Sequence, residues 1–171
     1  MITLKRMSGG VRVPHKKELS EKSPIESAGI PGELVLFLSQ HIGAPSKAVV
    51  KAKDAVKKGQ LIAEPQGYVS AGLHAPTSGT VKAIEERFHP VLACMAQAII
   101  LTPDGKDEPY EGLFQAQKLD DLSADQLRAM ARDIGLVGLG GAAFPTAVKI
   151  DATKPIDVVL LNGCECEPLL T

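Results

Sequence analysis

The sequence predicts two fold classes in series, a small all-β sandwich or barrel followed by the opening of an α/β region. Three observations carry this. Between Gly32 and Gly105, short apolar runs recur with Gly and Pro turns between them, the pattern of a compact all-β unit. From Ser123 the apolar spacing changes to a helical period. A glycine-rich loop beginning at Gly135 then leads to an apolar run, Ile156–Leu161, which ends in the acidic turn Asn162 to Pro168.

Composition bounds the options. The 171 residues suffice for one domain or two small ones with a real core. With 44% hydrophobic and 23% charged residues, the chain reads as soluble and globular. A net charge of −1 gives no electrostatic case for nucleic acid, and 4% aromatics without Trp argue against a base-stacking platform. Cys94, Cys164 and Cys166 cannot all pair, which suits a reducing compartment. No Cys-x-x-Cys occurs, so no metal or iron–sulfur site is expected within the chain. The first ten residues lack an apolar signal-peptide core. The longest apolar zone, Val91 to Leu101, falls short of the roughly 20 residues a membrane span needs, so no span is expected.

Residues 1–30 are polar and rich in Lys, Ser and Pro, and they read as an extended arm or capping segment. Residues 31–105 hold the β runs: Glu33–Leu38, Ala48–Ala52, Gln60–Ala63, Tyr68-Val69, Gly79–Ile84 and Ala98–Leu101. Turn residues separate them at Gly43, Lys58-Gly59, Pro65, Gly72, Pro76, Ser78-Gly79 and Pro103-Asp-Gly105. Two phrases are more specific, Asp54-Ala-Val56-Lys-Lys-Gly59-Gln60 and Ala75-Pro76-Thr-Ser78-Gly79-Thr-Val81. Together they resemble the barrel-sandwich hybrid of biotinyl and lipoyl carrier domains, which place a modified lysine on the hairpin between the phrases. No lysine occurs between Lys58 and Lys82, so the swinging-arm chemistry is absent. Residues 106–122 are acidic and polar and read as a linker.

A helix of about three turns follows. Ser123-x-x-Gln126 is a capping box, and Leu127, Met130, Ala131 and Ile134 fall on one face. Gly135 stops it as a C-cap glycine. Gly138-x-Gly140-x-x-Ala143 matches the loose dinucleotide fingerprint, yet it follows a helix where that motif follows a strand. Two readings stay open. In one the glycines form a structural turn before a short helix opening at Pro145. In the other, close-approaching backbone, the following helix start and Lys149 bind a phosphate. The Asn162–Pro168 turn adds Glu165 and Glu167, carboxylates suited to ring N–H or ribose hydroxyl groups; a solvated acidic turn is the alternative. His15, His41 and His89 read as surface or core residues, and His74 has no ligand partner in view.

Gly138-Leu-Gly140-Gly141-Ala142-Ala143-Phe144-Pro145-Thr146 with Lys149, and Leu161-Asn162-Gly163-Cys164-Glu165-Cys166-Glu167-Pro168, closely resemble the C subunit of Rnf-type electron transport complexes. Phrases nearer the N-terminus agree, among them Gly9-Gly10-Val-Arg-Val-Pro14 and Leu38-Ser39-Gln40-His41-Ile42-Gly43-Ala44-Pro45. The loop and acidic turn are also similar to the flavin-bearing subunit of respiratory complex I. The resemblance implies that residues 123–171 begin a Rossmann-like FMN- and NADH-binding domain. It implies that Gly138, Gly140, Gly141 and Ala142 line the cofactor, with Lys149 near phosphate. Asn162 and Glu165 then face the flavin, and Glu167 the nicotinamide side. No side chain is implied as acid or base, because hydride passes between stacked rings. The implied partners are NADH and the other subunits of a membrane complex, with the chain peripheral on the cytoplasmic face.

Ala143 departs from the family, which commonly has glycine there. The family's chains are also much longer. Their remaining flavin-domain elements and their cysteine clusters for 4Fe–4S centres are expected beyond Thr171, so this stretch alone is expected to be inactive. The other reading is a non-enzymatic docking module, similar to a sandwich-bearing subunit of the sodium-pumping NADH:quinone reductase.

Overall fold

The computed structural model describes residues 14, 17–19, 21–112, 118, 121–139, 142–151 and 155–160. The chain divides into two units, Gly29–Pro155 and a smaller one made from Met1–Ala28 with Ile156–Thr171.

The larger unit holds two antiparallel sheets. One has the order β1-β7-β6-β3 and the other β2-β4-β5. The first comprises β1 (Leu34–Phe37), β7 (Cys94–Pro103), β6 (Gly79–His89) and β3 (Ala55–Val56). The second comprises β2 (Lys47–Ala48), β4 (Leu61–Glu64) and β5 (Leu73–His74). Their inner faces meet in a core of Leu38, Val56, Ile62, Ala63, Ala75, Val81, Ile99 and Leu101. Burial of its Leu, Ile and Val side chains contributes roughly 1.5–3 kcal/mol each. This is the barrel-sandwich hybrid.

The two carrier-like phrases close its turns. Asp54 accepts from the Lys51 amide at 2.9 Å, and the Gln60 side chain accepts from the Lys57 amide at 3.0 Å. Gly59, at φ +81°, donates to the Ala75 carbonyl and so ties one phrase to the other. Gly79 lies so close to the Thr102 carbonyl that any Cβ would collide with it.

The expected strands differ from the observed ones where pairing overrides local pattern. Ala48–Ala52 shortens to Lys47–Ala48, because Lys51 to Asp54 forms a turn instead. Tyr68-Val69 is no strand but part of the loop after β4. The two-residue strands β3 and β5 carry too few residues to show a period. Conversely, β6 and β7 run well past the expected runs and pair from Gly79↔Pro103 to His89↔Cys94, with a bulge between Val81 and Ala83. Gly79 opens β6, where the expected run Gly79–Ile84 begins. The chain past Gly105 stays stitched to the barrel, since Lys58 donates to Glu108 and Tyr110 donates back to Lys58, both at 2.9 Å.

Helix α1 (Ala124–Asp133) has the expected capping box at Ser123 and Gln126. Gly135 follows at φ +70°. Helix α2 (Thr146–Lys149) is one turn, with Pro145 at its N-cap, so it opens one residue later than expected.

In the smaller unit, Lys17–Leu19 forms a 3-10 turn within the segment expected to be an arm or cap. The expected buried strand at Ile156–Leu161 does not form over its described part. Residues 156–160 have no strand pairing, and Ile156, Val158, Val159 and Leu160 are exposed. A strand of a parallel sheet needs neighbours and helical cover, and no described residue pairs with this segment; Leu161 lies outside the described residues.

Candidate functional site

The glycine loop grows from a short ladder. Val137 and Pro145 bridge antiparallel. The Gly138 amide donates to the Phe144 carbonyl at 2.9 Å, and the Thr146 amide donates to Leu136 at 2.9 Å. Residues 136–138 and 144–146 thus run side by side, and the loop between them is held at both ends. Because its amide is used here, Gly138 offers no free donor. A Cβ on Gly138 would lie 2.8 Å from Lys149 Nζ. That ammonium also sits 5.9 Å from the centre of the Phe144 ring, at the outer limit of a cation–π contact. Among the described residues it has no carboxylate partner.

Ala142 is exposed, and its carbonyl accepts from the Ile42 amide at 3.2 Å. Ala143 adopts φ +47°, the left-handed region that disfavours a side chain. Replacing it with glycine removes that cost, which exceeds the added freedom of the unfolded chain. Ala143→Gly is expected to raise stability by about 1 kcal/mol or slightly less, measured as a shift in denaturant midpoint. An unchanged or lower midpoint would contradict it. Helix α2 is too short for its dipole to matter, so the loop and Lys149 are what the structure offers an anion. Gly140, Gly141, Asn162, Glu165 and Glu167 lie outside the described residues, as do Cys164, Cys166 and His15.

The loop packs on one side of the barrel, a link that no local pattern announces. Arg132 donates to the Gly67 carbonyl at 2.8 Å, and Tyr68 donates to Asp151 at 2.8 Å. The Tyr68 phenol is consequently held above its ordinary pKa, chiefly by that bond to Asp151. Gly72 and Gly135 touch backbone to backbone, so a Cβ on Gly135 would fall on the Gly72 carbonyl. Beside Ala142 and Ala143 opens a cleft of about 650 Å³, walled by Phe37, His41, His89 and Leu92.

Of the described histidines, His41 and His89 are bonded to backbone. His89 Nδ1 accepts from the Val91 and Leu92 amides at 3.2 Å each, which leaves Nε2 to donate to the Ser39 carbonyl. Burial holds His74 below the usual histidine range, opposed by the nearby Asp133 carboxylate. A lowered folded-state value means that the folded chain binds fewer protons than the unfolded one. Stability is therefore expected to be full above the usual value of 6.5 and to decline as pH falls through the lowered folded-state value. His74→Gln should remove that part of the slope in denaturant midpoints measured across this range. An unaltered slope would show that His74 does not contribute.

Among the described residues no His, Cys, Asp and Glu group is arranged to hold a metal, and no helix is long and apolar enough to cross a membrane. Cys94 is free and exposed.

Fold and loop together define a class, a barrel-sandwich hybrid leading into a cofactor-type glycine segment. Residues 5–106 match the family model of the RnfC barrel sandwich hybrid domain, and residues 131–171 match the Nuo51 FMN-binding domain. The chain is 44% identical over 170 residues to the C subunit of the proton-translocating ferredoxin:NAD(+) oxidoreductase complex of Clostridium ljungdahlii, covering 98% of this chain and 37% of that protein. It is 41% identical over 165 residues to the C subunit of the Na(+)-translocating ferredoxin:NAD(+) oxidoreductase complex of Acetobacterium woodii, covering 95% of this chain and 37% of that protein. The C subunit of the ion-translocating oxidoreductase complex of Pseudomonas aeruginosa is 41% identical over 177 residues, covering 100% of this chain and 22% of that protein. The chain belongs to the RnfC family, and it spans little more than a third of the length of the first two relatives.

Proposed function

We propose that this chain is the N-terminal part of the FMN-binding, NADH-oxidising subunit of a membrane-associated, ion-translocating electron transport complex. The observation that carries this reading is the match of residues 131–171 to an FMN-binding domain, at the segment where Gly138 leaves room beside the Lys149 ammonium. That arrangement fits a phosphorylated cofactor, since the missing Cβ lets the Lys149 ammonium lie against the loop, where it supplies the counter-charge. In this reading Gly138, Gly140, Gly141 and Ala142 line the cofactor, and Lys149 faces its phosphate. Asn162 and Glu165 contact the flavin, and Glu167 lies toward the nicotinamide of NADH. Bound flavin supplies the conversion of a two-electron hydride donor into single electrons. The protein supplies placement and exclusion of water. The 4Fe–4S clusters and the remaining flavin-domain elements lie in parts of the full-length protein outside this chain. The partners are the other subunits of the complex, with this one peripheral on the cytoplasmic face.

Titrating the full-length protein with FMN, followed by flavin fluorescence, tests the reading. Stoichiometric binding and bleaching of the bound flavin by NADH are expected; a full-length protein that binds no FMN would sink it. A second reading, a docking module, is favoured by the far end of the β6–β7 hairpin, which exposes Phe88, Val91 and Met95. In that case Phe88→Ser would abolish assembly of the complex while the protein bound no flavin.

A further inference from the structure

We propose that the barrel fixes the position of the glycine loop, with His41 as the positioning residue; this rests on reading that loop as the FMN site. The glycine segment is anchored on the barrel at two points. At its start, Gly135 lies against the Gly72 backbone. Near its end, the Ala142 carbonyl accepts from the Ile42 amide at 3.2 Å.

The His41 ring joins the two barrel segments that supply these anchors. Its Nε2 accepts from the Ala71 amide at 3.1 Å, one residue before Gly72. Nδ1 therefore carries the proton and donates to the Ile42 carbonyl at 3.1 Å. Ser46, 5% exposed, strengthens the link: its hydroxyl donates to the Ala71 carbonyl at 2.8 Å and sits 3.2 Å from Nε2. Both ring nitrogens are thus committed to backbone, which leaves none for proton transfer or a metal. Residues 66–72, on the hairpin between the two carrier-like phrases, present no lysine; they receive Arg132, Gly135 and Asp151 instead. The hairpin serves as a bracket for the glycine loop.

The test uses the full-length protein and two readouts. His41→Ala is expected to speed amide exchange across residues 136–146 by about tenfold or more, with the β6–β7 core amides unchanged. FMN binding should weaken by roughly tenfold, and saturating FMN should restore turnover with NADH. His41→Gln, which keeps a donor and an acceptor, should recover part of the loss. Unchanged exchange across 136–146 overturns the proposal. So does faster exchange with unaltered FMN affinity, provided that Lys149→Met weakens FMN. If Lys149→Met has no effect on FMN either, the assignment of the cofactor to this loop fails, and exchange alone decides whether His41 holds it.

Discussion

Replacing Gly135 with valine is expected to lower the unfolding free energy by about 2–4 kcal/mol. Two costs add. Gly135 stands at φ +70°, where a side chain costs roughly 1–2 kcal/mol, and a β-branched one is the worst fit. Its Cβ would also fall on the Gly72 carbonyl, and backbone must shift to admit it, a further 1–3 kcal/mol or so. The damage should be local, because Val81, Ile99 and Leu101 are packed without help from α1. Exchange should therefore rise in residues 124–150 while the barrel core keeps its protection. Gly105→Val is the control. Gly105 has φ +76° but open space around its Cβ, so only the backbone cost of about 1–2 kcal/mol applies. Equal losses in the two variants, measured by denaturant unfolding, would show that close approach to Gly72 contributes nothing.

What was legible in the sequence followed from how local each determinant is. Helix α1 was readable to within a residue, because Ser123, Gln126 and Gly135 act within one turn of the ends they set. The barrel was readable as a class, through phrases whose turns are closed by their own Asp54 and Gln60. Its strands were less so. β3 and β5 exist because β6 and β4 lie beside them, and two residues cannot display a period. The apolar run at 156–160 shows the converse: a strand-like pattern without pairing partners remains exposed. Of the candidate site, Gly138 and Lys149 were singled out from one local stretch but not their contact, and the anchoring through Ile42 and Gly72 joins residues about 100 and 63 positions apart, beyond any local pattern.

The pairing of Gly138 with Lys149 gives the second large effect. In the full-length protein, Lys149→Met is expected to weaken FMN binding by about 10- to 100-fold, the usual worth of a charged hydrogen bond of ~1.5–3 kcal/mol. Folding should change little, within about 0.5 kcal/mol, because the side chain is exposed and has no carboxylate partner among the described residues. Gly138→Ala should act through the same lysine. Gly138 is not in the left-handed region, so alanine meets no backbone penalty there. The atom its methyl displaces, 2.8 Å away, is the mobile end of Lys149. The chain can yield at little cost to stability, but the ammonium then leaves the position it holds beside the loop. FMN affinity is expected to fall by several-fold in Gly138→Ala, and the double variant should bind no more weakly than Lys149→Met alone. Additive losses in that cycle would mean that Gly138 makes room for the cofactor itself, and that the lysine does not depend on it.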